Sequence, residues 1–116
     1  KTDGEIRCRQ TICKCPKRED DGEIEYLLSV LWIGNLVFEG IDGEVPTSIG
    51  ESTVRVSPNE KTLLVTHANG YKGYIPDDWQ IEHNSFEAEG AFIKKGCVET
   101  LFVKSFWEMF RLFDKE

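Results

Sequence analysis

The residues best suited to chemistry in this chain are its four cysteines, Cys8, Cys13, Cys15 and Cys97. An even number permits two disulfides without requiring them. Alternate residues of a strand share a face, so Cys13 and Cys15 should place two thiols on one side of a strand. Structural zinc sites favour pairs of cysteines separated by about two to four residues, and neither a second cysteine pair nor a nearby histidine follows. We therefore expect buried or surface thiols here, with a disulfide possible in an oxidising compartment.

Cys97 lies at the start of a predicted helix, where the helix dipole favours a thiolate. A cysteine–histidine nucleophile would need His67 or His83 beside it, and the sequence places neither there. We expect both histidines to be hydrogen-bonded or exposed imidazoles. The chain has no phosphate-binding glycine loop, and Ser48 does not lie in a G-x-S-x-G frame.

Two further stretches stand at the ends of predicted strands. Residues 40–47 place the carboxylate of Glu44 where a strand ends and a helix begins. Residues 67–76 set Tyr71 and Tyr74 among glycines, which let a backbone approach closely. Sites are often built on such loops. A glycine-rich turn with aromatic packing explains the same residues about as well.

These stretches belong to a predicted α+β unit. β-Branched and apolar residues predict three strands in an antiparallel meander, at residues 5–15, 24–33 and 36–41. The second run is almost continuously apolar, which is typical of a buried strand. Asp21-Gly22 and Gly34-Asn35 supply the turns. The sequence also predicts a strand at residues 61–67 and short helices that start at Thr47, as the cap, and near Pro76.

The last predicted element is an amphipathic helix that packs on the sheet. Its apolar stripe recurs at helical spacing and consists of Val98, Leu101, Phe102, Phe106, Met109, Phe110 and Phe113. Val103, Trp107 and Leu112 fall off that stripe. They suggest a second apolar surface, which the rest of a larger domain or another copy of the chain would cover.

Length and charge limit the possible classes of protein. The 116 residues fit one compact unit, 1–116, with an ordinary globular composition. A net charge of −7 disfavours nucleic acids and anionic membranes as partners. No run is long and apolar enough for a transmembrane segment. Because the chain opens with Lys1-Thr2-Asp3, without an initiator Met, we expect a fragment or a processed product, and its compartment stays open.

Four segments follow one another in an order that resembles the neutral ceramidase family and its bacterial relatives. They are Gly43-Glu44-Val45-Pro46-Thr47, the Asn-Gly-Tyr-Lys-Gly-Tyr-Ile-Pro run at 69–76, Phe86-Glu87-Ala88, and Gly96-Cys97-Val98-Glu99. The similarity covers residues 31–113 and corresponds to the C-terminal part of the family's catalytic domain. Residues 1–30 form a predicted hairpin region that matches no family we can name.

The resemblance implies zinc-dependent hydrolysis of an amide, which is N-acyl-sphingosine for the best-known members. Carried over by position, Glu44 and Tyr74 are zinc ligands, and Asn69 and Tyr71 are substrate-binding residues. The family takes two further histidine ligands from an earlier part of the chain, which this sequence lacks. Phe86 stands where the family has a tyrosine thought to assist at the scissile carbonyl, so the catalytic residues are unknown.

We therefore expect a fragment of a zinc-dependent amide hydrolase that is incomplete and inactive alone. Its expected partners are the missing N-terminal part of the same protein or a second copy, with a lipid amide or another amide as substrate. Two oxygen ligands without imidazole hold zinc poorly, so no tightly bound zinc is expected on this chain alone. The rival interpretation is a non-catalytic interaction or structural domain, in which the aromatic helix docks a partner.

Overall fold

A computed structural model describes residues 5–18, 21–83 and 93–114. These residues form an α+β unit in which a four-stranded sheet carries helices on one side. Along the chain the elements are β1 (Ile6–Pro16), β2 (Glu23–Ile33), β3 (Leu36–Ile41), α1 (Thr47–Arg55), β4 (Thr62–Thr66), α2 (Asp78–Glu82) and α3 (Val98–Phe113).

The first three strands form the predicted antiparallel meander. β1 and β2 pair over their full length, from Ile6 opposite Ile33 to Pro16 opposite Glu23. β3 returns along β2 after the Gly34-Asn35 turn, and Gly34 has φ of 55°, which an L residue adopts only at a cost. The turn dipeptide that the sequence contains therefore sets the register of this hairpin.

The fourth strand changes the character of the sheet. The strand order is β1-β2-β3-β4, and β4 pairs with β3 in parallel, so the sheet is mixed and not wholly antiparallel. A parallel neighbour needs a crossover, which α1 supplies. Thr47 is the first residue of that helix and not its cap; Pro46 holds the N-cap position without a side-chain bond. As a result, β3 and β4 end at the same edge of the sheet.

The core lies between one face of the sheet and α3, as the helical stripe predicts. Phe102, Phe106 and Phe113 are fully buried or nearly so. Phe102 meets Tyr26 edge-on at 5.4 Å, and Phe113 meets Trp32 at 5.6 Å between ring centroids. Trp107 and Leu112 fall off the stripe and stay 46% and 41% exposed. None of the helices that the structure describes is long and apolar enough to cross a bilayer.

Burial along β2 alternates, which corrects the expectation of a wholly buried strand. Leu28, Val30 and Trp32 face the core, whereas Leu31 and Ile33 are each 36% exposed. Side chains of the other strands share the exposed side with them. We call this side the outer face; its exposed apolar residues are Ile6, Ile12, Leu31, Ile33, Leu36, Leu63 and Val65.

Two of the four cysteines form a disulfide, where the sequence favoured free thiols. Cys15, at the end of β1, is bonded to Cys97, which precedes α3. Cys13 shares a face with Cys15, as predicted, and remains a buried thiol whose sulfur lies 3.0 Å from Ser105 Oγ. Burial raises the pKa of Cys13, so this thiol is poorly reactive. Cys8 is a free thiol exposed on the other side of β1.

One carboxyl group lies in the core without a compensating partner. Glu39 on β3 has no solvent exposure, and neither of its oxygens has a hydrogen-bond partner among the described residues. Burial raises the pKa of Glu39 to about 8, because the charged form loses its hydration. The folded protein therefore holds Glu39 neutral at pH 7.

We predict that Cys97→Ser lowers the free energy of unfolding by about 2–4 kcal/mol. The reason is that the disulfide closes a loop with a sequence separation of 82, so losing it releases much conformational freedom in the unfolded chain. Urea unfolding followed by tryptophan fluorescence measures the change. Cys8→Ser, which alters an exposed free thiol, is the control. Equal midpoints for Cys97→Ser and the parent protein would contradict the stabilising role.

A second prediction concerns Glu39 and pH. In the unfolded chain its pKa is near 4.5, and in the folded chain it is about 8. Below pH 4.5 both states are protonated; as pH rises to 8 only the unfolded state ionises, so stability falls by on the order of 3–5 kcal/mol. Glu39→Gln should flatten this decline between pH 5 and 8, whereas Glu51→Gln, at an exposed position on α1, should not. If the free energy of unfolding changed with pH in the same way for all three proteins, the raised pKa of Glu39 would be refuted.

Candidate functional site

The site predicted around Glu44 and Tyr74 is built on a short backbone pairing. The two residues form an isolated parallel bridge, although they lie thirty positions apart. Glu44 N–H donates to the Gly73 carbonyl oxygen at 2.9 Å, and Ile75 N–H donates to the Glu44 carbonyl oxygen at 2.7 Å. The side chains of two residues that pair in a parallel bridge leave the backbone on the same side. The structure therefore brings the two predicted ligand positions side by side at the backbone.

Gly43 permits this close pairing. A Cβ atom built on Gly43 would lie 2.8 Å from the Gly73 carbonyl oxygen and 2.6 Å from Ile75 Cδ1. Gly73 itself has φ of 77°, a conformation that glycine adopts without strain. Gly43 and Gly73, one from each predicted stretch, thus both allow the backbone pairing at the bridge.

The Tyr74 hydroxyl is held by α2. Gln80 Nε2 donates to this hydroxyl at 3.1 Å. Gln80 is itself fixed by a reciprocal capping box with Asp77, the N-cap of α2. Ser48 on α1 donates to Asp77 at 2.6 Å and so ties the two helices together. The Asp-x-x-Gln spacing is a sequence signal for such a cap, and our sequence analysis missed it.

The Glu44 carboxylate has a different neighbour. It is 59% exposed, and its Oε1 lies 4.0 Å from Nε2 of His67. His67 stands in the left-handed region at φ of 55°, and its N–H donates to the Gly43 carbonyl oxygen at 3.2 Å. The sequence analysis expected a hydrogen-bonded or exposed imidazole, and His67 is exposed. What the sequence did not reveal is that His67 lies beside Glu44, because β3 and β4 end at one edge.

The two residues predicted to bind substrate lie in the same turn. The Tyr71 ring is 77% exposed and stacks on the ring of His67 with centroids 4.6 Å apart. Asn69, at φ of 65°, lines a cavity of about 410 Å³ on the outer face, together with Ser29, Phe38 and Val65. Phe86 lies outside the described residues.

The buried carboxylate of Asp42 interacts with the turn at residues 70–74. Asp42 is 3% exposed, and its Oδ2 lies 3.8 Å from Nζ of Lys72. Lys72 also donates from Nζ to the Glu25 carbonyl oxygen at 2.8 Å, and from its backbone N–H to the Asp42 carbonyl oxygen at 2.7 Å. Because a buried charge needs a partner, this pair holds residues 70–74 against the end of β3.

The alternative chemistry weighed for Cys97 is ruled out. Its sulfur is bonded to Cys15 and cannot act as a nucleophile. His83 follows α2, where its ring stacks on Trp79 at 4.3 Å and Nδ1 lies 2.9 Å from the Trp79 carbonyl oxygen. It is therefore a hydrogen-bonded imidazole, as the sequence analysis expected.

The donor set around Glu44 and Tyr74 is chemically suited to a hard or borderline metal ion. It offers an exposed carboxylate and an oriented phenol oxygen, with an imidazole nitrogen beside the carboxylate. Within residues 5–18, 21–83 and 93–114, no three His, Cys, Asp and Glu side chains are grouped closely enough to hold a metal. The arrangement is therefore part of a coordination shell at most.

Comparison with protein-family models, with curated proteins and with solved structures gives no match. Geometry and residue chemistry alone therefore bear on the site.

We predict that Gly43→Ala breaks the bridge between Glu44 and Tyr74, because the new methyl group would press on the Gly73 carbonyl oxygen and on Ile75. The expected cost is about 1–3 kcal/mol of stability, typical of overpacking. Hydrogen exchange at the Glu44 and Ile75 amides should rise selectively.

Gly50→Ala on α1 is the matched control. Its methyl group meets only the flexible end of Leu64, at 3.0 Å, and alanine favours the helix. If both variants left the two amides equally protected, Gly43 would not be what permits the pairing.

Proposed function

We propose that this chain contributes Glu44 and Tyr74 to the zinc site of an amide hydrolase that resembles the neutral ceramidase family. The single observation that supports this most strongly is the backbone bridge between the two residues. Their motifs are separated by α1 and β4 in the sequence, and a structural turn would not need to align those two positions. The order of the motifs supplied the hypothesis, and the bridge supports it.

The side chains fit the proposed metal. Glu44 is open to solvent and free of a strong ion pair among the described residues, so its carboxylate can turn toward an ion. The Tyr74 oxygen is oriented by Gln80 and not buried behind it, since Tyr74 is only half-buried. When bound, zinc would activate water and polarise the amide carbonyl.

The remaining residues of the site would act by position. Gln80 and the α2 capping box fix the phenol oxygen, which lowers the entropy lost on binding an ion. The stacked rings of His67 and Tyr71 lie in the turn that follows β4, and Asn69 belongs to the same turn. Under this proposal Asn69 and Tyr71 would contact the amide substrate, as the resemblance implies.

This site needs partners outside the chain. Two further imidazole ligands would come from an N-terminal part of the same protein, and a lipid amide or another amide would be the substrate. The net charge of −7 argues against nucleic acid as a partner. On this proposal the chain by itself is inactive.

A second function, as a non-catalytic interaction domain, is favoured by a different observation. The outer face exposes a broad apolar surface that has no covering helix within the described residues. Under this alternative Glu44 and Tyr74 are ordinary turn residues.

Zinc titration of this chain and of a longer protein that includes it distinguishes the two functions. We expect no stoichiometric zinc on this chain alone. In the longer protein, Glu44→Ala and Tyr74→Phe should each weaken zinc binding by more than the ~10–100-fold typical of losing an outer-shell partner. Isothermal titration calorimetry and metal content of the purified protein measure this.

Glu51→Ala, which removes an exposed carboxylate from α1, is the control and should bind zinc normally. Full zinc occupancy in the Glu44→Ala and Tyr74→Phe variants would end the proposal. Sub-micromolar zinc on this chain that is lost on Cys13→Ser would move the site to the thiols.

A further inference from the structure

We propose that the outer face of the sheet is the interface of a two-fold symmetric dimer of this chain. This inference goes beyond the proposed zinc site and does not depend on it. It rests on the exposure, the charge and the shape of that face.

The outer face exists because the helices lie on one side of the sheet. α3 contacts β1 and β2 through the aromatic core, and α1 contacts β4 on the Leu64 side. In the described part of the chain no helix covers the opposite side. Ile6 is 67% exposed, Ile12 60% and Leu63 55%, although β-branched and leucine side chains on a sheet normally face a core.

The exposed area is large for a protein of this size. At their observed exposures, the seven apolar side chains of the outer face leave a patch on the order of 600 Å², at the upper end of the range of about 300–600 Å² for the largest patch on a typical monomer, which is often functional. A standard interface buries about 800 Å² on each partner. The apolar patch alone amounts to about three quarters of that area.

The placement of charge allows a second copy to occupy the outer face. The chain carries a net charge of −7, yet on the strands of the outer face the charged side chains are confined to one end. There Lys14 lies 3.7 Å from Glu25 and offsets its charge, and Glu23 lies at the same end. Two such faces can meet without bringing like charges together, although the chains as a whole repel each other.

The outer face has both a recess and a projecting side chain, so its shape can complement that of a second copy. Its centre holds the cavity of about 410 Å³, lined by Cys8, Leu31, Phe38 and Val65. Ile12 projects from the same strand as Cys8. In a two-fold interface, a projecting side chain of each copy meets a recess of the other. Sheets that pack face to face in this way form a sandwich, with α3 of each copy outside. A small apolar ligand would fill the cavity but leave Ile6 and Ile12 in water.

Sedimentation of the protein from 1 to 100 µM tests the proposal, and we expect a dimer within that range. Ile12→Asp should raise the dissociation constant at least tenfold, because it places a charge in the apolar interface. Leu112→Asp, on the exposed side of α3, is the matched control and should leave the dimer intact. Circular dichroism confirms that both variants fold.

Maleimide labelling gives an independent readout. Cys13 is buried and Cys15 and Cys97 are bonded, so labelling of the folded protein reports on Cys8 within the outer face. The rate of Cys8 labelling should fall as the protein concentration rises, and Ile12→Asp should restore fast labelling. A monomer at every concentration with freely labelled Cys8 overturns the proposal. So does a dimer that Leu112→Asp dissociates and Ile12→Asp does not, because its interface is then α3.

Discussion

The packing of the α3 aromatic stripe against one face of the sheet is the interaction on which the other features depend. Phe102 against Tyr26 and Phe113 against Trp32 join the last element of the chain to the first hairpin, and the Cys15–Cys97 disulfide fixes the start of the helix to the end of β1. Fully burying one such side chain contributes about 1.5–3 kcal/mol. Because α3, the longest helix in the described residues, packs on one face, no helix in that part of the chain covers the other face of the sheet.

The crossover through α1 has the second large consequence. It returns the chain parallel to β3, so that β3 and β4 end at one edge and the turns that follow them meet. The Asp42–Lys72 pair and the bridge between Glu44 and Tyr74 then hold these turns together. A site can form here because two loops from distant parts of the sequence share one rigid edge.

Burial of Glu39 beside this edge works against stability. Its carboxyl group occupies a place where an apolar residue would pack without an unpaired oxygen. Such a group is retained at a cost that hydrophobic burial elsewhere must exceed. β3 or the turn directly after it contributes residues to the candidate site, to the buried carboxyl group and to the outer face. This strand therefore carries most of the features that are not needed to form the fold.

The sequence by itself determined the local elements. Strand periodicity, the Gly34-Asn35 turn and the seven-residue stripe of α3 predicted the meander and the helix that covers it, because these signals depend on near neighbours. It also determined which residues could form the candidate site.

Only the tertiary structure decided how distant segments meet. The parallel placement of β4, the pairing of Cys15 with Cys97, the approach of His67 to Glu44 and the exposure of one side of β2 all join residues far apart in the chain. An apolar run reads the same whether one or both of its faces are covered. Which face is covered depends on where the helices pack, and that is a property of the whole fold.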